Sequence, residues 1–108
     1  MSITFSVEKH PDLDVNLSNA NALAMLGLMQ VGADAAGEIA PAQLDAVIRR
    51  LTRAINSAQR RQIATMEDYS LGNFISFGRD DAYVQRTAAR LLELTVTARR
   101  NGVSVYWG

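Results

Sequence analysis

The sequence predicts an α+β fold, in which three helices pack mainly on one face of a small sheet of three to four strands. Short segments that alternate apolar and polar residues lie near both ends of the chain, as in strands with one buried face. Longer segments repeat apolar residues every three or four positions, as in helices that bury one side. The predicted order is strand, strand, helix, helix, strand, helix, strand, which indicates a single domain over residues 1–108.

The first third of the chain predicts a hairpin followed by a helix. Residues 3–7 alternate apolar and polar side chains, and residues 13–17 do so again after a turn centred on Pro11. Because the connection is short, the two strands should pair antiparallel. Ser18 is a suitable N-cap for a helix over residues 19–30, which is apolar on nearly all sides. Such a helix is expected to be buried, within the domain or at a subunit interface.

The middle of the chain is less regular. Residues 32–40 contain two glycines and two acids and are predicted to form a loop. Pro41 begins a second helix, whose apolar stripe continues to about Ala58. Residues 59–72 are interpreted either as a loop or as a segment that a partner orders. Residues 73–77, which are aromatic and bounded by glycines, are predicted to form a third strand.

The C-terminal part predicts a long amphipathic helix and a closing strand. The helix should begin at the N-cap Asp80 and end at Asn101-Gly102, where glycine can take a left-handed conformation. A strand over residues 103–107 follows. The predicted buried face of the helix contains Val84, Ala88, Leu91, Leu92 and Thr95. The predicted exposed face contains Arg86, Arg90, Glu93, Thr97 and Arg100.

Composition and charge limit the classes of function. The absence of cysteine excludes disulfides, thiolate zinc sites and cysteine nucleophiles. The start of the chain lacks the features of a secretion signal, and the apolar run 20–31 is too short to span a bilayer, so a cytoplasmic protein is expected. The net charge is zero, but residues 1–45 hold six acids against one lysine, whereas residues 46–108 hold ten arginines against five acids. These two parts should attract each other, within one molecule or between two.

A polar cluster at the start of the first helix is a candidate ligand-binding site. Asn16, Ser18, Asn19 and Asn21 lie where a strand ends and a helix begins, so free backbone N–H groups and carboxamides could bind an anionic or polar ligand. The alternative interpretation is local: Ser18 caps the helix while the asparagines satisfy nearby backbone groups.

Two further groups are candidate interface residues. Arg49, Arg53 and Arg60 lie along one side of the second helix and could bind phosphates or form part of a contact surface for a partner. The alternative is a solvated helix face, or one paired with the acids of the N-terminal part. Zero net charge and the lack of aromatic residues among these arginines argue against nucleic acid as a partner. Tyr106 and Trp107 could anchor a partner, or Trp107 could be buried in the core.

Catalytic groups are sparse, so no catalytic residue, metal or cofactor is predicted. His10 is the only histidine, and with Asp12 and Asp14 it is too small a set for a zinc or non-haem metal site. Adjacent acids such as Asp80-Asp81 do not face each other on a helix. A hydrolase that uses His10 or paired acids is therefore only the third hypothesis.

Several short motifs support a resemblance. The segment Asn16-Leu17-Ser18-Asn19-Ala20-Asn21-Ala22, then Leu26-Gly27-Leu28, Tyr83-Val84 and the end Asn101-Gly102-Val103-Ser104-Val105-Tyr106-Trp107-Gly108, resembles small uncharacterised proteins of bacteria and their phages. The resemblance implies one intact domain and no particular activity. The first hypothesis is a non-enzymatic interaction protein, encoded by a bacterium, phage or mobile element, that binds a protein partner or itself as a homodimer. A domain that binds a small polar or anionic ligand is the second.

Overall fold

Four strands and three α-helices make up the part of the chain that the computed structural model describes, residues 1–32, 34–70 and 77–108. Side chains are described in these ranges except at 62–70 and 77–80. The strands are β1 (Ser2–Val7), β2 (Val15–Ser18), β3 (Gly37–Ile39) and β4 (Val105–Trp107). The helices are α1 (Asn19–Met29), α2 (Leu44–Ser70) and α3 (Phe77–Asn101). The α+β prediction is confirmed.

The sheet has the order β2-β1-β4-β3, and all its neighbours are antiparallel. The two ends of the chain therefore pair at its centre, where Thr4 and Gly108 exchange two backbone hydrogen bonds of 2.9 and 3.1 Å. The predicted hairpin is confirmed, with Ile3 opposite Leu17 and Phe5 opposite Val15. The second strand begins later than predicted because Pro11–Leu13 forms a 3₁₀ turn.

The third strand that the sequence predicts, residues 73–77, falls almost entirely outside the described residues. Residues 73–76 of the predicted strand lie outside the described residues, and Phe77 begins α3. Part of the predicted loop 32–40 forms a strand, β3. Only Ile39 of its three residues is buried, so no alternation is long enough to predict it from sequence. Its pairing with β4 stabilises it, with Ile39 opposite Val105.

The predicted caps of α1 and α3 have different outcomes. Ser18 is confirmed as the N-cap of α1, because its Oγ accepts a hydrogen bond from the Asn21 backbone N–H at 3.3 Å. Gly102 is confirmed as the stop of α3: its φ is 66°, and the next N–H donates to the Ala98 carbonyl at 3.0 Å. The prediction for Asp80 is wrong, since α3 begins at Phe77 and Asp80 lies inside the helix.

The second helix is longer than predicted. It continues to Ser70, so the interpretation of residues 59–70 as a loop is wrong, while 71 and 72 lie outside the described residues. Helix α2 packs antiparallel to α3, as the ion pairs Asp45–Arg99 and Arg61–Asp81 show. Helix α2 can continue beyond its apolar stripe because α3 packs against it and because residues 44–71 contain neither glycine nor proline. Together α2 and α3 form a helical hairpin.

The buried face of α3 is broader than predicted. Ala88, Leu91 and Thr95 are buried as expected, whereas Val84 and Leu92 are only half-buried. Leu94 and Ala98 are fully buried and were not in the predicted set. The predicted exposed face is largely confirmed: Arg86, Arg90, Glu93 and Arg100 are exposed, and Thr97 is intermediate.

The helices cover one face of the sheet and leave the other open. The covered face contains Ile3, Phe5, Val7, Val15, Leu17, Ile39, Val105 and Trp107, all of which are buried. The indole of Trp107 packs on Phe5 with ring centroids 6.2 Å apart, and its Nε1 donates to the Asp34 carbonyl at 2.9 Å. Gly37 lies so close to this indole that a Cβ atom there would overlap the ring. The open face contains Ser2, Thr4, Ser6, Asn16, Ser18, Glu38 and Tyr106.

Candidate functional site

The outer side of α2 contains three exposed arginines, Arg49, Arg53 and Arg60, which we term the arginine face. The opposite side of the helix is buried at Leu44, Val47, Leu51 and Ala58, which follow the three-and-four spacing of a helix–helix seam. Because the arginines fall between these positions, the seam turns them away from the core. From Arg49 to Arg60 the helix rises about 16 Å.

Neighbouring arginines, in contrast, form contacts within the protein. Arg50 donates from Nη1 to the Met29 carbonyl at 3.0 Å, which satisfies the C-terminal end of α1. Arg61 Nε contacts Asp81 Oδ1 at 2.8 Å, and Arg99 Nε contacts Asp45 Oδ1 at 2.6 Å. These side chains tie α2 to its two neighbouring helices.

No ion pair joins the arginine face to a carboxylate among the side chains that the structure describes. The acids of residues 1–45 are all described, and of these only Asp45 forms an ion pair, with Arg99. The alternative in which the arginine face pairs with the acidic N-terminal part of its own molecule is therefore not what the structure shows. The face is solvated.

The segment of α2 that contains the arginine face carries positive charges only. Residues 46–66 contain five arginines and neither aspartate nor glutamate. The exposed side of α3 differs, because Glu93 lies between Arg90 and Arg100. Like charges on one helix repel each other weakly, and a partner that supplies carboxylates would relieve this repulsion. The arginine face thus lies on a segment of α2 whose charged residues all have the same sign.

The structure divides the four residues of the predicted ligand site between the strand β2 and the first turn of α1. Asn16 lies on the open face of the sheet, where its Nδ2 donates to Ser2 Oγ at 3.1 Å and to Thr4 Oγ1 at 2.8 Å. Ser18 caps α1, and Asn19 and Asn21 are exposed in the first turn of that helix. Both amide donors of Asn16 and the Ser18 oxygen thus have local partners. These contacts favour the local interpretation of the cluster.

The two C-terminal aromatic residues lie on opposite faces of the sheet. Trp107 is 6% exposed and is a core residue in this fold, so its side chain is not available to a partner. Tyr106 is 47% exposed on the open face, between Ser6 and Glu38 of the neighbouring strands. Since the helices cover the other face, Tyr106 and the arginine face belong to different surfaces.

A cleft that sequence reasoning missed forms between the turn that follows β1 and the segment that joins α3 to β4. It has a volume of about 310 Å³ and is lined by Glu8, Lys9, His10, Asn101 and Val103. His10 Nε2 and Asn101 Nδ2 are 3.1 Å apart, although 91 positions separate them in sequence. Asn101 was interpreted only as part of a helix stop, and no local pattern relates it to His10. Asp12 and Asp14 do not line this cleft.

Neither a metal centre nor a membrane span is found in the described part of the chain. No group of three or more histidine or acidic side chains there is arranged to hold a metal ion. Among the helices searched over the same residues, none is long and apolar enough to cross a bilayer.

The fold and its surfaces define a small α+β protein with an open antiparallel sheet, a helical hairpin and a solvated arginine face. The chain belongs to the DUF1840 family, a domain of unknown function whose family model matches residues 1–107. This agrees with the resemblance to uncharacterised proteins. No curated protein and no solved structure matches the chain.

Proposed function

We propose that this protein is a non-enzymatic interaction protein that binds an acidic surface of a protein partner through Arg49, Arg53 and Arg60. The observation that supports this proposal is the solvated state of the arginine face, beside arginines that have partners inside the molecule. Guanidinium groups are weakly hydrated and bind carboxylates through two parallel hydrogen bonds, so they suit an interface better than lysine does.

A protein partner fits this surface better than a nucleic acid. Proteins that bind single strands combine basic residues with aromatic side chains that stack on bases, and residues 46–66 contain no aromatic residue. The whole chain has no net charge, whereas domains that bind nucleic acid are usually strongly basic. A carboxylate-bearing surface of a protein needs only the local positive charge of the arginine face.

The proposal is tested by fluorescence anisotropy with labelled poly-L-glutamate as the acidic probe. The wild-type protein should bind the probe, and binding should weaken as salt increases. The triple variant Arg49→Glu/Arg53→Glu/Arg60→Glu should lose about 1–3 kcal/mol of binding free energy, given that exposed ion pairs contribute roughly 0.2–1 kcal/mol each. Circular dichroism checks that the variant keeps its helices.

A charge-matched variant on the other helix is the control. Arg86→Glu/Arg90→Glu/Arg100→Glu changes the net charge equally, at residues that are also exposed. If both triple variants lost the same binding free energy, attraction would depend on net charge and the arginine face would not be a specific surface. Tighter binding of a single-stranded oligonucleotide than of poly-L-glutamate would also overturn the proposal.

Self-association is the remaining form that the interaction could take, since the acids of residues 1–45 in a second copy have the complementary charge. Sedimentation of the wild-type protein at micromolar concentration tests this directly. A monomer that still binds poly-L-glutamate indicates a different protein as the partner. A dimer that the α2 triple variant abolishes, and the α3 variant does not, indicates a second copy.

A further inference from the structure

We infer that the cleft between His10 and Asn101 binds a small zwitterion of amino-acid size, a molecule with one carboxylate and one ammonium group. The cleft is separate from the arginine face, and its lining residues come from the turn after β1 and from the end of α3. The inference therefore does not depend on the proposed protein partner.

The size and position of the cleft suit a small ligand. Its volume of about 310 Å³ is at the lower end of the range for ligand sites. The His10–Asn101 contact joins its two walls at 3.1 Å, and Val103 supplies an apolar group beside them. A ligand with a few carbon atoms and two polar ends could contact both walls at once.

The charges around the cleft determine the chemical class of the ligand. Lys9 supplies an ammonium group and Glu8 a carboxylate, so the lining has both signs within two adjacent residues. A simple anion would leave Glu8 without a complementary group, and a simple cation would do the same to Lys9. A zwitterion can pair with both. The His10 imidazole and the Asn101 carboxamide add hydrogen-bonding groups for its carboxylate.

The backbone at Lys9 is a second, independent observation. Its φ is 69°, in the left-handed region that favours glycine or asparagine, in a turn closed by the His10 N–H and the Val7 carbonyl at 3.2 Å. Left-handed non-glycine residues are found at ligand sites, and glycine would adopt this φ without strain. Lys9 is among the residues that line the cleft.

The sole histidine makes the test direct, because the His10 ring gives the only imidazole signals in an NMR spectrum of the protein. The protein is titrated at constant pH with L-alanine. Separate titrations use acetate and methylammonium, which each carry one of the two charges of L-alanine. L-alanine should give a saturating shift of the His10 ring signals, and the two single-charge probes should not. An equal saturating shift with acetate, or no saturation with L-alanine, would overturn the inference.

Lys9→Gly separates binding from folding. Glycine adopts the observed φ without strain, so this variant should melt no lower than the wild type while losing at least tenfold in affinity for L-alanine. Glu38→Gln, at an exposed acid on β3 that does not line the cleft, is the matched control and should keep its affinity. If Lys9→Gly bound L-alanine as tightly as the wild type, the assignment of the cleft would be wrong.

Discussion

The two parts of the α2–α3 hairpin are held together by different interactions. The part that packs on the sheet, residues 44–55 and 88–101, buries large apolar side chains in the main core. In the adjoining part, residues 56–61 and 81–87, the buried side chains are those of Ala58, Asp81 and Thr87. Apolar burial therefore dominates near the sheet, whereas small side chains and one ion pair join the helices further along.

This difference indicates where the free energy of folding is concentrated. Full burial of a leucine contributes roughly 1.5–3 kcal/mol, whereas a single buried methyl group contributes about 0.8 kcal/mol. The pair Arg61–Asp81 instead fixes how the two helices are aligned, since a shift by one turn would separate the charges. We therefore expect the part near the sheet to unfold only globally, and the adjoining part to open locally at lower cost.

The largest expected effect is a truncation in the part near the sheet. Leu94 is fully buried in the main core, so Leu94→Ala should lower the free energy of unfolding by about 2–5 kcal/mol through lost apolar contact and a residual cavity. Urea unfolding, analysed with the slope held equal to that of the wild type, measures this loss. A loss below about 1 kcal/mol, a typical value for an average substitution, would contradict a hairpin held to the sheet by apolar burial.

A smaller effect is expected from the ion pair in the adjoining part. The Asp81 side chain is 12% exposed and that of Arg61 is 56% exposed, so removal of the arginine leaves a largely buried carboxylate without this partner. Arg61→Met keeps the aliphatic chain and should cost about 1–3 kcal/mol. Urea unfolding measures the loss, and amide hydrogen exchange should show faster exchange in residues 56–61 and 81–87.

The double variant Arg61→Met/Asp81→Leu is the control for this prediction. Replacement of both charges by apolar groups of similar size leaves no buried charge, so most of the lost stability should return. If the double variant were as unstable as the sum of its single variants, packing around these positions would explain the loss and the ion pair would not.

Sequence patterns predicted those elements whose signals are local. The β1–β2 hairpin, the cap at Ser18 and the stop at Gly102 each depend on residues within a few positions of one another. The strand β3 and the continuation of α2 to Ser70 could not be predicted in this way. Each is stabilised by an element distant in sequence, β4 for the strand and α3 for the helix, so the residues themselves lack a periodic signal.

The same distinction applies to the candidate sites. The arginine face was predictable because its members repeat along one helix. The cleft was not, because His10 and Asn101 meet only through the pairing of β1 with β4. The buried position of Trp107 likewise follows from the sheet, whose covered face contains it together with Phe5.

The smallest expected losses of stability come from substitutions on two adjacent sides of α3, at Leu92 and Arg90. Helical periodicity treats Leu91 and Leu92 alike, but Leu92 is only half-buried, so Leu92→Ala should cost about 1 kcal/mol, roughly half the value for a fully buried leucine. The exposed neighbour Arg90→Ala should stay within about 0.5 kcal/mol of the wild type in the same urea titration. A cost for Leu92→Ala as large as that for Leu94→Ala would mean that its exposed half is covered in solution. A dependence of that cost on protein concentration would then identify a second copy of the chain as the cover.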